Sequence, residues 1–451
     1  MSDAGLILFA HGLVQRSSLP LPEWLFAWAV SAVLVVSFVG LAVLWPTPRL
    51  ERAGWRPLPG GIGRVLGSRA VELFCGAIGV ALLVLVVVAG YVGPPTPLDN
   101  LAPTFILIVF WVGLVFASVL LGDVFAAFNP WRAIGRVLFR RARRPYPARL
   151  GRWPAAAGIL VFAWIELASG WGEHPPRLVT AALVYSAVTL GAMAVYGVEA
   201  WTRRGEAFSV YFNLFSRLST FEKRDGVVGV RPPLSGLPRL DAEPGTVGLV
   251  TVMIGTVTFD GLSQGRLWKD LAVRLNDGLA SLGFSPGTTP ELVATLGLAL
   301  GVALVAGFYV TGIEGARSVG GEHDAERLRE SFAHTLVPIA MVYVAAHYLT
   351  FLLFEGQSIG YLASDPFGQG WDLLGTASAA IDYSLIGQNA TWYVQVAFVA
   401  LGHVAALTLA HDRALVLYGQ AKIAVRSQYW MLGIMVGFTT LALWLLAQAN
   451  V

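Results

Sequence analysis

The chain has 451 residues, 56% of them hydrophobic and only 13% charged, with a formal net charge of +3 and a mean hydropathy of +0.65. That balance excludes an ordinary soluble globule, and because the basic residues collect in a few loops it implies no nucleic-acid partner. The single cysteine, Cys75, excludes a disulfide framework and a cysteine metal cluster.

In chain order, residues 1–23 read as a short outer arm. Leu6 to Ala10 has the look of a secretory signal ending ahead of His11-Gly12, but its apolar run is short and no basic segment precedes it. Ten apolar stretches of about 20 residues follow, each long enough to cross roughly 30 Å of hydrocarbon. They are Trp24–Leu44, Ala70–Val92, Ala102–Leu121, Pro154–Trp171, Leu178–Tyr196, Val247–Leu262, Leu292–Ile313, Ser331–Phe354, Thr391–Ala410 and Gln428–Ala447. The pattern predicts an all-α polytopic transmembrane bundle, residues 24–451 forming a single transmembrane domain. Ten spans also allow two inverted five-span halves.

Loop charge sets the expected orientation. Arginines crowd the segment after the first span (Arg49 to Arg69), the loop 123–153 and the loop 197–245, which places these on the cytoplasmic side beside anionic lipids. The acidic loop 355–390 then lies outside, as do both termini. Lysine occurs only as Lys223, Lys269 and Lys422, an arginine bias typical of GC-rich bacterial genomes, so the expected location is a bacterial plasma membrane. Gly265–Pro290 is the exception, its Arg266, Lys269 and Arg274 balanced by Asp270 and Asp277.

Several stretches depart from a plain span. Trp131–Arg144 and Phe208–Phe221 have the composition of interfacial helices. The sixth span is rich in threonine and glycine (Thr251, Gly255, Thr256, Thr258, Gly261) and carries Asp260, which predicts a broken or re-entrant helix. Trp371–Leu385 is predicted to form a half-helix dipping against the bundle with Asp372 and Asp382.

Four of the seven histidines lie between Ser331 and Arg413. Ionisable groups inside spans cost on the order of 2.5–3.5 kcal/mol each by insertion scales, so they face the bundle interior and do something there. Tyr343, His347 and Thr350 make one polar stripe at helical spacing. His347 and His403, on antiparallel spans, differ in depth by roughly 7 Å at 1.5 Å per residue, close enough to share a cavity. His334 and His411, with Asp412, form an inner polar cluster. Three uses compete with the bland one, hydrogen-bonded histidines that join helices. Haem ligation is the least favoured, because the 13 residues between His334 and His347 turn them about 220° apart on one helix. A zinc or copper site draws on His347, His403, Asp260, Glu355 and Asp382, with His11 and the Glu173-His174 pair on outer segments, and activates water for hydrolysis. A proton or ion relay draws on Glu72, Glu166, Asp260, His347 and His403. Gly261-Leu262-Ser263-Gln264-Gly265 matches the nucleophile-elbow pattern, which has meaning only between a strand and a helix and here ends a span.

Ala10-His11-Gly12-Leu13, Pro22 to Phe26, Gly122 to Phe125 with Asn129-Pro130-Trp131-Arg132, His334 to Gln357, Ser364-Asp365-Pro366, Trp392 to Gln395 and Gly402-His403 to Arg413 together resemble a group of actinobacterial integral membrane proteins commonly labelled fenitrothion hydrolase. The resemblance covers nearly the whole chain, apart from a full signal sequence before His11. It implies metal-assisted hydrolysis of organophosphate triesters and carries no established catalytic residues with it.

The expectation is therefore a membrane protein with a polar cavity between spans six, eight and nine. Its first functional reading is a metal-dependent hydrolase, with His347 and His403 as ligands and Asp260 or Asp382 as third ligand or general base. The alternative is a transporter or channel for a metal ion or small solute, to which His334, His411 and Asp412 would also matter. A haem-binding or structural subunit comes third.

Overall fold

The computed structural model describes residues 23–320 and 324–448. Residues 1–22, with the signal-like run and His11, lie outside them. The described chain is a helical membrane bundle: nine helices are long and apolar enough to span a bilayer, and a tenth span results if the broken pair Ala325–His347 and Leu349–Ser364 is counted as one. It divides into two compact units interleaved in sequence, one of Trp55–Arg231 and Thr350–Leu385, the other of 23–54, Pro232–Leu349 and 386–448.

The first unit holds the candidate spans Arg69–Val92, Leu101–Leu121, Ala148–Leu167 and Pro175–Tyr196. At its centre is the short helix Ala207–Ser216, which composition had suggested for the membrane surface. It is buried on every side, because Phe208, Tyr211 and Phe212 interlock with Phe110, Trp111, Phe125, Trp131, Phe162 and Tyr185. Aromatic edge-to-face pairs of this kind are each worth about 0.5–1.5 kcal/mol beyond the area they bury. Glu206 caps this helix, accepting from the backbone N–H groups of Phe208 and Ser209. The basic loop 197–245 also contains a hairpin, Phe221–Arg224 against Val227–Val230, with Arg56–Pro57 on the far side of the second strand. Its two-residue turn is Asp225-Gly226, both at positive φ, the strongest short hairpin signal a sequence can carry.

The helix Pro130–Leu138 begins with Asn129 as cap and Pro130 in its first turn. Trp131 is buried and donates to Ser186, so of the supposed interfacial face only Val137 and Leu138 are freely exposed. Its arginines turn instead to two carboxylates. Arg132 and Arg136 both bridge Glu72 and Glu199 at 2.7–2.9 Å. Burial acts to raise the Glu199 carboxyl, but hydrogen bonds and charge from Arg132 and Arg136 outweigh it and hold it below its ordinary value of 4.5. A depressed carboxyl contributes stability above its unfolded pKa and loses it as pH falls through the folded one. The thermal midpoint in detergent is therefore expected to drop between about pH 5 and pH 3. The Glu199→Gln protein should show a shallower drop over that range, and an identical pH slope would refute the assignment.

The acidic loop 355–390 also differs from its expectation: Trp371–Leu385 forms turns, not a half-helix. Short acidic side chains compete with the helix for backbone N–H groups. Asp365 takes those of Gln369 and Gly370, Asp372 that of Ala377, and Asp382 that of Ser384.

In the second unit the central element is Thr246–Gln264, the sixth span. It is a continuous helix, 78% buried over its most apolar window, and not a broken one. Its threonines bond back to their own helix, Thr251 to the Gly248 carbonyl and Thr258 to that of Ile254. Its glycine serves packing: a Cβ on Gly255 would lie 2.5 Å from the Val302 Cα, and one on Gly301 2.7 Å from the Gly255 oxygen. Small residues that let two backbones meet are a membrane-helix contact, not a break. Thr289–Gly320, Val337–His347 and Ala421–Gln448 pack around this helix, and Gln388–Tyr418 packs against the last two.

The discontinuity falls on the eighth span instead. A 3₁₀ turn over Ala333–Leu336 leads into the helix Val337–His347, which stops at Tyr348 before a new helix begins at Leu349. Pro338 sits in the first turn of Val337–His347, where its missing N–H costs nothing.

Candidate functional site

The helix stop at Tyr348 and the depth of the sixth span build the site. Asp260 lies in the last turns of Thr246–Gln264 and is 1% exposed. Two side chains converge on one of its oxygens. His347 Nε2 is 2.9 Å from Asp260 Oδ2, and the Tyr348 hydroxyl donates to the same Oδ2 at 2.8 Å. In an unbroken helix neighbouring side chains point about 100° apart. With Tyr348 at the C-cap, imidazole and phenol lie edge to face at 4.7 Å and both reach the carboxylate. Gln395 steadies the break by donating to the Ala346 carbonyl at 2.8 Å.

Beside this group is a cavity of about 40 Å³ bounded by Thr258, Gly261, Tyr343, His347 and Val399. At roughly 10–15 Å³ per water it has room for about three. The Tyr343 hydroxyl is buried and has no hydrogen-bond partner among the described residues, while its ring stacks on Phe438 at 5.6 Å. His403 lies with its ring 6.4 Å from that of Tyr343. Its Nδ1 is 2.7 Å from the Val399 carbonyl. A carbonyl only accepts, so Nδ1 carries the hydrogen, and the lone pair falls on Nε2, which has no partner among the described residues. Tyr343 lines the cavity, and a buried hydroxyl without a partner at such a space is where an ordered water is expected.

The remaining candidates occupy other places. His411 and Asp412 hold a turn of chain: Asp412 accepts from the Trp45 indole and the backbone N–H groups of Arg49, Leu50 and Glu51. The His411 Nδ1 accepts from Gln428, which leaves Nε2–H to donate to the Trp45 carbonyl. His334 is buried in the 3₁₀ turn with Nε2 unpartnered among the described residues. In the other unit, His174 is exposed at the residue before Pro175, and Asp382 is exposed in its turn with Ser384. Glu72 belongs to the arginine cluster.

Zinc sites use three or four ligands from nitrogen, sulfur or carboxylate. Among the described residues no three of His, Cys, Asp and Glu stand together as such a set. Asp260 and His347 supply two donors, already turned on each other. Among the described residues, then, the donors do not fit a zinc or copper centre.

Sequence reasoning passed over Tyr348 and Gln395. Tyr348 reads as an ordinary apolar-stripe aromatic until the helix stops beside it, and nothing local marks that stop. No protein-family model, no curated protein and no solved structure matches the chain.

Proposed function

We propose that the chain is a transport protein whose Asp260–His347–Tyr348 group takes up and releases a proton, moving protons alone or a proton-coupled small solute. One observation carries this reading: a fully buried carboxylate shares a single oxygen with an imidazole and a phenol beside a water-sized cavity, at a break in a membrane span. Acid and histidine side chains buried within membrane spans, and breaks in those spans, are features that transporters use to build their sites.

The chemistry follows from charge. Without an added proton the pair is a carboxylate facing a neutral imidazole, one net negative charge in an apolar surround. One proton makes the pair neutral overall, whether it sits on oxygen or nitrogen. Exchange of that proton requires water at the pair. Tyr348 donates in both states and holds Oδ2 in place. The cavity beside His347 supplies the room for that water, and Tyr343 and Thr258 supply oxygens along its wall.

Phosphotriester hydrolysis, which the resemblance implies, asks more of the site. A triester is far larger than three waters, and a metal-activated nucleophile needs a ligand set with an open position. The proton reading uses only groups already in contact.

The test combines two measurements on wild type, Asp260→Asn and His347→Gln. Infrared difference spectra between acid and alkaline pH are expected to show a protonated-carboxyl band that disappears in Asp260→Asn and shifts in His347→Gln. Proteoliposomes loaded with a pH-sensitive dye should acidify under an imposed gradient at least tenfold faster with wild type than with Asp260→Asn. No band sensitive to Asp260, together with equal acidification rates, would overturn the proposal. A stoichiometric metal lost with His347→Gln would overturn it in favour of the hydrolase.

A further inference from the structure

The segment between the sixth and seventh spans forms a helix, Arg266–Ser281, that neither spans nor points freely into solvent. At 100° per residue its surface divides into three arcs. Trp268, Ala272, Leu275 and Leu279 occupy the first. Trp268 is buried, its ring edge-on to Phe259 at 5.1 Å, and Gly297 leaves room for it: a Cβ there would come within 2.3 Å of the indole. This arc is packed on the protein. On the opposite arc stand Arg266, Lys269, Asp270 and Asp277, all exposed, with Val273 and Ala280 as the apolar exceptions.

The third arc lies between them and is apolar yet uncovered, with the exposed Arg274 at its polar border. Leu267 is 61% exposed and Leu271 41%, and Leu282, which caps the helix, is 76% exposed. Gly278 falls on the same side, and Phe284 follows in the exposed chain beyond. A helix with water on one arc, protein on the second and bare leucines on the third has the surface of an in-plane membrane helix.

We infer that Arg266–Ser281 lies along the bilayer surface, with Leu267, Leu271 and Leu282 dipping into the boundary between lipid headgroups and acyl chains. Chain continuity selects lipid as the occupant. The helix starts two residues after one span ends at Gln264, and the next begins at Thr289, so the segment is tethered at headgroup depth at both ends. Its charges nearly cancel, with Arg266, Lys269 and Arg274 against Asp270 and Asp277. Insertion therefore rests on buried apolar area and not on attraction to anionic lipid, unlike the arginine-rich loops.

Site-directed spin labelling tests this. Single cysteines at Leu267, Leu271, Leu282, Lys269 and Asp277 are introduced in a Cys75→Ser background, labelled, and reconstituted in vesicles of phosphatidylcholine alone or mixed equally with phosphatidylglycerol. The expected result is an oxygen-to-nickel-chelate accessibility ratio several-fold higher at the leucine positions than at Lys269 and Asp277, and the same in both lipids. Equal ratios at all five positions would overturn the inference, since the leucines would then be in water. Spin–spin broadening at Leu271 with neither reagent admitted would also overturn it, by placing a second copy of the chain there. A high ratio only in the phosphatidylglycerol vesicles would refute the apolar mechanism. All five substitutions are at exposed positions, and unchanged thermal midpoints establish that each labelled protein is folded.

Discussion

Replacing Asp412 by asparagine is expected to destabilise the protein by roughly 3–5 kcal/mol, nearly as much as replacing it by alanine. Asp412 is wholly buried, and its two oxygens accept from four donors: the Trp45 indole and three successive backbone N–H groups, those of Arg49, Leu50 and Glu51. Asparagine keeps the shape but has one acceptor oxygen, and its amide would face donors. Alanine leaves all four donors without a partner. Each orphaned buried donor costs about 1–3 kcal/mol, so either change exceeds an ordinary surface substitution. The turn is held further by the 2.9 Å ion pair of Arg413 with Glu51 and by the His411 bond to the Trp45 carbonyl, which limits how far it can relax. Thermal unfolding in detergent, followed by tryptophan fluorescence, checks this. A fall in midpoint for alanine with none for asparagine would mean that volume and not acceptor capacity is what Asp412 supplies.

The second large effect belongs to the other unit. Glu206→Gln is expected to cost roughly 2–4 kcal/mol. Glu206 is completely buried, and each carboxylate oxygen has two donors: the Tyr185 hydroxyl and Phe208 N–H on Oε1, the Ser209 N–H and Asn129 amide on Oε2. A glutamine must turn its NH₂ toward one of these donor pairs. Because Glu206 also caps Ala207–Ser216, the substitution weakens the start of the helix that the aromatic core surrounds. Tyr185→Phe removes one donor to Glu206 and also the oxygen that the Ala207 N–H reaches at 3.2 Å, leaving the other three Glu206 donors satisfied, so it should cost about 1–2 kcal/mol, less than Glu206→Gln. If the two variants lose equal stability, the network is not acting through acceptor number.

Much of the frame was legible from periodicity and hydropathy. Long apolar stretches can satisfy their backbone in lipid only as helices, and the structure places helices over every one of the ten predicted stretches. Where composition misled, the same residue types had a second physical use. Threonine and glycine in the sixth span suggested a break, but hydroxyls that bond to their own helix and glycines that admit a neighbouring backbone both belong to a tightly packed one. Phe208 to Phe221 suggested a membrane surface, because an aromatic run with few charges reads alike whether it meets lipid or other aromatic rings. The Asp225-Gly226 hairpin was visible in the sequence and was absorbed into a basic loop.

The sequence by itself determined that this is a helical membrane protein, because burying so much apolar surface in so few charges leaves no soluble alternative. It also singled out Asp260 and His347, since a titratable group in a span is costly enough to be noticed. Only the tertiary structure decided which groups meet: Asp260 with His347 and Tyr348, His411 and Asp412 with the turn after Trp45, and Asp382 in a turn of its own. The reason is geometric. Helical periodicity fixes which face a side chain takes, but not which helix lies across from it, and the stop at Tyr348 that turns two neighbouring residues onto one oxygen has no local signature.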